Sequence, residues 1–221
     1  GSHTVVALQQ SGYNVVIVDN LSNSDISVLS GIEAITGIRP EFEELNICDE
    51  NALEACMTKH SGIEAVIHFA ASKAVGESVE KSLEYYRNNV MGLIQLLTLM
   101  RRNKVKHIIF SSSCTVYGEP DTLPIDETAP RKTATSPYGN TKKMCEDIIS
   151  DAIVSYHDLT AILLRYFNPI GAHPSAMIGE LPKGVPNNLV PFVTQTAADI
   201  RKELSVFGDD YNTPDGTGVR D

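Results

Sequence analysis

Residues 15–20 read VVIVDN, a continuous β-branched run that ends at an aspartate. A run of this kind is typical of a strand buried on both faces of a parallel sheet. Similar apolar segments recur along the chain, and helical patterns separate them. We predict strands at 15–18, 41–47, 65–69, 108–110, 161–164 and 204–207. Strands that alternate with helices predict an α/β fold built on a doubly wound parallel sheet.

The helical segments between these strands carry recognisable end signals. Glycine follows two of them, at Gly12 and Gly37, where a C-terminal cap is expected. Asp49 suits the N-cap of a third helix, and Ser136-Pro137 combines an N-cap serine with proline at the first helical position. We therefore predict helices over 2–11, 25–36, 49–60, 79–102, 136–156 and 189–201.

Composition excludes several function classes. The 221 residues are 42% apolar and carry a net charge of −10, so a packed core is expected and nucleic acid or anionic membrane is a poor partner. No apolar run approaches the roughly 18 residues of a membrane span. The four cysteines form no CxxC motif and the histidines do not cluster. We expect no metal site, reduced thiols and a cytoplasmic location.

The first candidate for chemistry is Tyr138 with Lys142, on the helix predicted to begin at Ser136. Residues four apart share one face of a helix, so the phenol and the ammonium should be neighbours. A nearby ammonium favours the phenolate, and the helix N-terminus adds positive potential. The pair suits a general base that takes a proton from a hydroxyl. The structural alternative is a tyrosine packed under a lysine stem.

Other polar residues follow the predicted strands, at the edge where ligands of a doubly wound sheet bind. The serine run 111–113 follows one strand and suits either a ligand or a turn. Asp19 follows another and suits either a turn or the ribose hydroxyls of a dinucleotide, with NAD favoured over NADP because a carboxylate repels the extra phosphate. The amides of Asn187-Asn188 suit uracil, sugar hydroxyls or an ordinary turn.

Taken together, these segments resemble the UDP-glucose 4-epimerase family of extended short-chain dehydrogenases/reductases. The resemblance covers all 221 residues, and several of its motifs are specific to epimerases within the superfamily. The matching stretches are VDNL at 18–21, VIHFA at 66–70, KAVGES at 73–78, SSSCTVYG at 111–118, PYG at 137–139, LRYFNP at 164–169, GAHP at 171–174, PNNL at 186–189 and DGTGVRD at 215–221.

The resemblance implies an enzyme that interconverts UDP-glucose and UDP-galactose through a 4-keto sugar, with tightly held NAD. Tyr138 would take the proton of the sugar 4-hydroxyl, Lys142 would lower the pKa of that phenol, and Ser113 would bind the reacting oxygen. The implied cofactor contacts are Asp19, Asn20, Asn23, Ser24, Asn46, Ile47, Phe69, Ala70, Ala71, Lys73, Asn88, Ser111, Tyr138, Lys142, Tyr166 and Phe167. The implied substrate contacts are Lys73, Ser113, Tyr138, Asn168, Asn188, Leu189, Phe207 and Arg220.

The resemblance also implies how the chain is organised. Residues 1–167 would form a Rossmann-like NAD-binding domain that lacks its first strand and most of its glycine-rich turn. Residues 168–221 would begin a smaller substrate-binding region, interleaved with the sheet. The chain is then expected to be an interior piece of a longer protein, and the family suggests a homodimer. Asn46, Ala71 and Cys114 stand where the family usually has aspartate, glycine and a small residue.

Two alternatives remain at this point. A nucleotide-sugar 4,6-dehydratase needs an extra acid and base, typically an Asp-Glu pair after the serine strand. Cys114-Thr115 occupies that place, which counts against dehydration. The second alternative is an inactive fragment, or a module that binds a nucleotide without catalysis.

Overall fold

All strands of the computed structural model, which describes residues 1–180, 183–186 and 188–218, run parallel. Strand β1 pairs with β2, and β4 lies between β3 and β5, so the described strands form two sheets. This parallel arrangement confirms the predicted α/β class. The strands are β1 (Val16–Asp19), β2 (Glu41–Glu44), β3 (Ala65–His68), β4 (His107–Ser113) and β5 (Thr160–Tyr166).

Helices connect the strands, and two of them begin at the predicted caps. Asp49 accepts a hydrogen bond from the Ala52 N–H at 3.0 Å, and Ser136 accepts one from the Gly139 N–H at 3.1 Å. Both bonds satisfy donors that the first helical turn leaves open. The helices are α1 (Ser2–Gln10), α2 (Val28–Thr36), α3 (Glu50–Lys59), α4 (Val75–Glu80), α5 (Ser82–Tyr85), α6 (Gly92–Arg102), α7 (Pro137–Ser155) and α8 (Leu189–Ala197).

Apolar side chains of β1 face helices on both sides of the sheet. Ile17 packs on a small cluster formed by α1 and α2, whereas Val18 packs on the main core with α3 and α6. Successive side chains of a strand point to opposite faces, so the two clusters cover opposite faces of β1. This is the double winding that the sequence pattern predicts.

The structure shifts several predicted element ends by a few residues, and three differences are larger. The helical stretch expected at 79–102 begins earlier, at Val75, and is broken into α4, α5, a π-helical segment (Tyr86–Met91) and α6. The serine run 111–113 lies inside β4 rather than after it. The strand expected at 204–207 is absent, because no described strand pairs with this segment and its apolar side chains stay exposed.

The segment after β5 returns to the N-terminal helices. Ile178 is buried in the cluster formed by Val5, Val6 and Ile32. Gly31 makes this packing possible, because a Cβ there would lie 2.5 Å from the Met177 carbonyl oxygen. The segment after β5 therefore packs on α1 and α2 through Ile178.

Within the described ranges, no helix has the length and apolarity needed to cross a membrane. The same residues contain no group of three or more metal-binding side chains. None of the four cysteines forms a disulfide.

We predict that Gly31→Ala destabilises the protein by about 1–3 kcal/mol, since the new methyl group would overlap the Met177 backbone. Gly76→Ala is the matched control, because Gly76 is also helical but has open space around its Cα. Removing a glycine from a helix should stabilise by about 0.5 kcal/mol. Denaturant unfolding of both variants measures the difference, and equal stabilities would contradict the packing described here.

Candidate active site

The candidate site lies where the carboxyl ends of β3, β4 and β5 meet. The register pairs Ser113 of β4 with Tyr166 of β5, and His68 of β3 with Phe110 of β4. In a parallel sheet these ends form one edge, which is the usual place for a ligand. The predicted polar residues of three separate segments are thereby brought together.

Helix α7 places the tyrosine and the lysine beside this edge. Tyr138 is the second residue of the helix and Lys142 lies one turn further along. The Lys142 Nζ is 5.9 Å from the centre of the Tyr138 ring and 4.9 Å from the centre of the Phe110 ring. The structure therefore brings the two predicted side chains close together, and both lie beside the end of β4.

Lys142 is a buried cation with few partners. Its side chain is held by one hydrogen bond, from Nζ to the Ser111 carbonyl oxygen at 2.7 Å, and the residue is 4% exposed. Two of the three N–H donors find no acceptor in the part of the chain that the structure describes. Burial lowers the pKa of Lys142 from 10.5 to about 8, against a small opposing effect of Cys145.

The phenol of Tyr138 departs from the expectation drawn from its spacing to Lys142. Burial raises the pKa of Tyr138, and a hydrogen-bonding interaction with the Ser113 side chain lowers it by less. Cys114 adds to the rise, and Lys142 is not among the causes. In the protein alone, burial therefore keeps the pKa of the phenol above its ordinary value although Lys142 is nearby. Desolvation is the largest cause of this rise, because burial disfavours the charged form of the phenol.

His68 is the neutral member of this cluster. It is buried at the end of β3, with its ring 5.8 Å from the centre of the Phe110 ring. Burial, with help from the charge of Lys142, lowers the pKa of His68 to about 3. The imidazole therefore carries no charge at neutral pH, and it contributes a polar but uncharged side chain to the cluster that contains Lys142.

A buried carboxylate one turn beyond Lys142 anchors α7 to the sheet. Glu146 accepts two hydrogen bonds from the Arg165 guanidinium, at 3.0 and 2.9 Å, and one from Ser112 at 2.5 Å. The Arg131 guanidinium adds a contact at 3.3 Å. Such a bidentate, fully bonded pair fixes geometry between elements. Sequence reasoning missed Glu146, although its spacing of four from Lys142 places both residues on one helix face.

The predicted adenosine-binding residues cluster at the end of β1. Asp19 Oδ1 accepts hydrogen bonds from the Ser24 hydroxyl at 2.7 Å and from the Leu21 N–H at 2.8 Å. Oδ2 accepts none from the described residues. Asn20 holds its own turn through the Ser22 N–H. The carboxylate is thus fixed in orientation and keeps one oxygen for a hydroxyl donor.

Asn89, on the π-helical segment, is a second residue that sequence reasoning missed. Its Nδ2 donates to the Ser72 carbonyl oxygen and to Thr141 Oγ1, both at 3.0 Å. Its Oδ1 accepts from the Ser72 N–H at 2.8 Å and from Asn88 Nδ2 at 3.1 Å. Asn89 therefore joins the loop after β3 to α7, and it places the predicted cofactor residue Asn88. Only the break in the helix at 86–91 gives it this position.

The remaining predicted site residues divide by exposure. Ile47 is buried in the main core, so its side chain serves packing and only its backbone could meet a ligand. Phe207 is 85% exposed. Arg220 lies outside the described residues. Exposed or partly exposed surfaces are also found at Asn23, Asn46, Phe69, Ala70, Ala71, Lys73, Tyr166, Phe167, Asn168, Asn188 and Leu189.

A doubly wound sheet with a serine, a tyrosine and a buried lysine at its carboxyl edge holds these side chains where ligands of open α/β sheets bind. Comparison with known proteins gives the family. The model of the NAD dependent epimerase/dehydratase family matches residues 1–221. The chain belongs to this family.

The chain is similar to proteins named UDP-glucose 4-epimerase. It is 54% identical over 221 residues to one from Dictyostelium discoideum and 51% identical over 227 residues to one from Homo sapiens. These matches include the whole chain, which spans 64% and 65% of the length of the two relatives.

Solved structures give the same picture. The structure of a UDP-glucose 4-epimerase from Bifidobacterium longum in complex with NAD+ and UDP superposes with a TM-score of 0.96 at 49% identity. The match covers 100% of this chain and 65% of that one. A UDP-glucose 4-epimerase from Stenotrophomonas maltophila gives a TM-score of 0.94 at 51% identity, with the same coverage.

We predict that Lys142→Met stabilises the fold at pH 7 by on the order of 2 kcal/mol, after allowing for the lost bond to Ser111. In the folded protein the pKa of Lys142 is about 8, which is below the ordinary lysine value of 10.5 that applies to the unfolded chain. Between these values the unfolded state holds more protons, so wild-type stability rises with pH and the advantage of the variant shrinks.

Urea unfolding from pH 7 to pH 10.5 measures this effect. Lys143→Met is the control, because the Lys143 ammonium is only half-buried and already bonds the Lys132 carbonyl oxygen at 2.9 Å. A wild-type protein more stable than Lys142→Met at every pH would contradict the burial argument.

Proposed function

We propose that this chain carries the catalytic centre of an NAD-dependent UDP-glucose 4-epimerase, which interconverts UDP-glucose and UDP-galactose. The observation that supports it most directly is the buried Lys142, held by Ser111 beside Tyr138 and Ser113 at the sheet edge. The chemistry of these groups fits removal and return of a hydroxyl proton. Relatives above 50% identity that match the whole chain support the substrate.

The residues present fit NAD. Asp19 keeps one carboxylate oxygen for a ribose hydroxyl, since Ser24 and Leu21 occupy the other. Lys142 keeps two N–H donors for the nicotinamide ribose. A carboxylate at the end of β1 disfavours the extra phosphate of NADP. When bound, NAD would supply a hydride acceptor and a positively charged ring near the phenol.

The protein's own residues would then handle the proton and the reacting oxygen. Tyr138 takes the proton from the sugar 4-hydroxyl and later returns it. Ser113, whose hydroxyl accepts a bond from the Thr115 N–H at 3.3 Å, holds the sugar oxygen near the phenol. Lys142 stabilises the phenolate by its charge. Asn168, Asn188 and the other predicted substrate residues would bind the nucleotide and the sugar.

Dehydration fits the site less well. That reaction needs an acid and a base beyond the tyrosine, and Cys114 and Thr115 stand where a carboxylate pair would be required. The Thr115 hydroxyl is buried with no hydrogen-bond partner among the described residues. An aliphatic hydroxyl such as that of Thr115 is too weak an acid and base to replace a carboxylate in proton transfer at neutral pH.

We propose that two copies associate through the outer face of α5, α6 and α7. Leu83, Met91 and Ile94 lie on α5, the π-helical segment and α6 and are exposed, with Leu83 82% exposed. Met144 adds an exposed apolar side chain on α7, which packs against the π-helical segment. Exposed apolar surface of this kind favours association.

The four cysteines form no disulfide, which supports the cytoplasm as the proposed location.

We predict that Tyr138→Phe lowers the turnover of UDP-galactose by about 10²- to 10⁴-fold, because the general base is removed. Bound NAD, released by denaturation and measured by absorbance, should remain. Tyr13→Phe is the control, since Tyr13 is exposed and precedes β1, whereas the site lies at the carboxyl ends of the strands. Near-normal turnover of Tyr138→Phe, or wild-type protein without bound NAD, would overturn the proposal.

We predict that Ile94→Glu converts a dimer to a monomer, because a carboxylate would be buried in the proposed contact. Light scattering after gel filtration measures the mass. Ile38→Glu adds the same charge at an exposed site outside the helical face and should leave the dimer intact. A monomeric wild-type protein would exclude the proposed association.

A further inference from the structure

The first turn of α7 is capped by two serines, one of which comes from another helix. Ser136 accepts the Gly139 N–H through its hydroxyl at 3.1 Å and the Asn140 N–H through its carbonyl at 2.9 Å. Pro137 has no N–H. The Tyr138 N–H is left, and it donates to the hydroxyl of Ser78 on α4 at 3.1 Å. The backbone of the proposed base is therefore held from outside its own helix.

The orientation of the Ser78 hydroxyl is fixed by its surroundings. It donates its proton to the Val75 carbonyl oxygen at 2.6 Å, so the oxygen lone pairs face the Tyr138 N–H. Ser78 is 0% exposed, so bulk water does not reach this hydroxyl. An N–H that lost this acceptor would stay buried and unpaired, which is strongly disfavoured.

Hydrogen bonds to Tyr85 hold α4, the helix that carries Ser78, in place. Tyr85 donates its hydroxyl to Glu77 at 2.8 Å and accepts the Ala74 N–H at 3.1 Å. This bond pair closes the start of α4 onto α5. Helix α4 follows the loop that contains the predicted cofactor residue Lys73, so Ser78 links that loop to the base.

We propose that Ser78 is a positioning residue for Tyr138: its hydroxyl fixes the tyrosine backbone and thereby aims the phenol at the reacting oxygen. The proposal rests on the proposed function. The Tyr138 carbonyl accepts a bond from Thr141 Oγ1 at 2.7 Å, so both backbone groups of the residue are held. Small displacements of a reacting group lower a rate strongly, because catalysis depends on near-attack geometry.

The test compares Ser78→Ala with Ser136→Ala in the enzyme loaded with NAD. Each variant removes one serine cap of α7, but only the first releases Tyr138. We expect Ser78→Ala to lower kcat at least about tenfold with KM changed less than about threefold, as for a loss confined to the transition state. Ser136→Ala should lose comparable thermal stability and keep kcat within about threefold of wild type.

A second readout does not use activity. Hydrogen exchange of the Tyr138 amide should be faster in Ser78→Ala than in Ser136→Ala, because only the former loses the acceptor. If Ser78→Ala does not fold, Ser78→Cys leaves no cavity while offering only a weak acceptor, and the same two losses are expected. Ser78→Thr keeps the hydroxyl and should restore kcat.

The outcomes separate the two proposals. Equal kcat losses in Ser78→Ala and Ser136→Ala, or an unchanged exchange rate at Tyr138, would overturn the role of Ser78. Fast exchange in Ser78→Ala combined with a wild-type protein that holds NAD but does not epimerise UDP-galactose would instead overturn the proposed function, and the hold of Ser78 on the backbone would stand.

Discussion

The contact between the Lys142 ammonium and the Ser111 carbonyl oxygen fixes helix α7 against the end of β4, and the geometry of the site follows from it. Burial disfavours the charge and lowers the pKa of Lys142 to about 8. An apolar residue at this core position would make the fold more stable, so the charge of Lys142 is kept at a cost in stability. A charge kept in this way is typical of a residue selected for chemistry.

Glu146 shows what a structural charge looks like on the same helix face. Its carboxylate is satisfied by Ser112, Arg165 and Arg131, all within the described chain. Lys142 has a single such partner. The two buried charges therefore differ in how many hydrogen bonds they can still form. The Glu146 carboxylate already accepts bonds that join α7 to β4 and β5, whereas the Lys142 ammonium keeps donors for a ligand.

The parts of the structure that local chemistry decides could be predicted from the sequence. The β-branched run of β1 and the caps Asp49 and Ser136 are examples, because each depends on neighbours along the chain. The pair Tyr138 and Lys142 was also predictable, since helix geometry alone brings it together. Ser78 could not be found, because its bond to Tyr138 spans 60 residues. The contacts of Asn89 with Ser72 and Thr141 also join residues far apart in the sequence. No strand among the described residues pairs with 204–207.

The pKa values of the pair explain why the base should depend on the cofactor. Burial opposes charge on the Tyr138 phenol and on the Lys142 ammonium alike, so the protein alone favours a protonated phenol. On the proposed function, a cationic nicotinamide ring beside the phenol adds the missing positive potential and favours the phenolate. The base would then gain strength only when a hydride acceptor is present. Proton removal from the sugar 4-hydroxyl is of use only in that state, because an alkoxide without an acceptor simply takes the proton back.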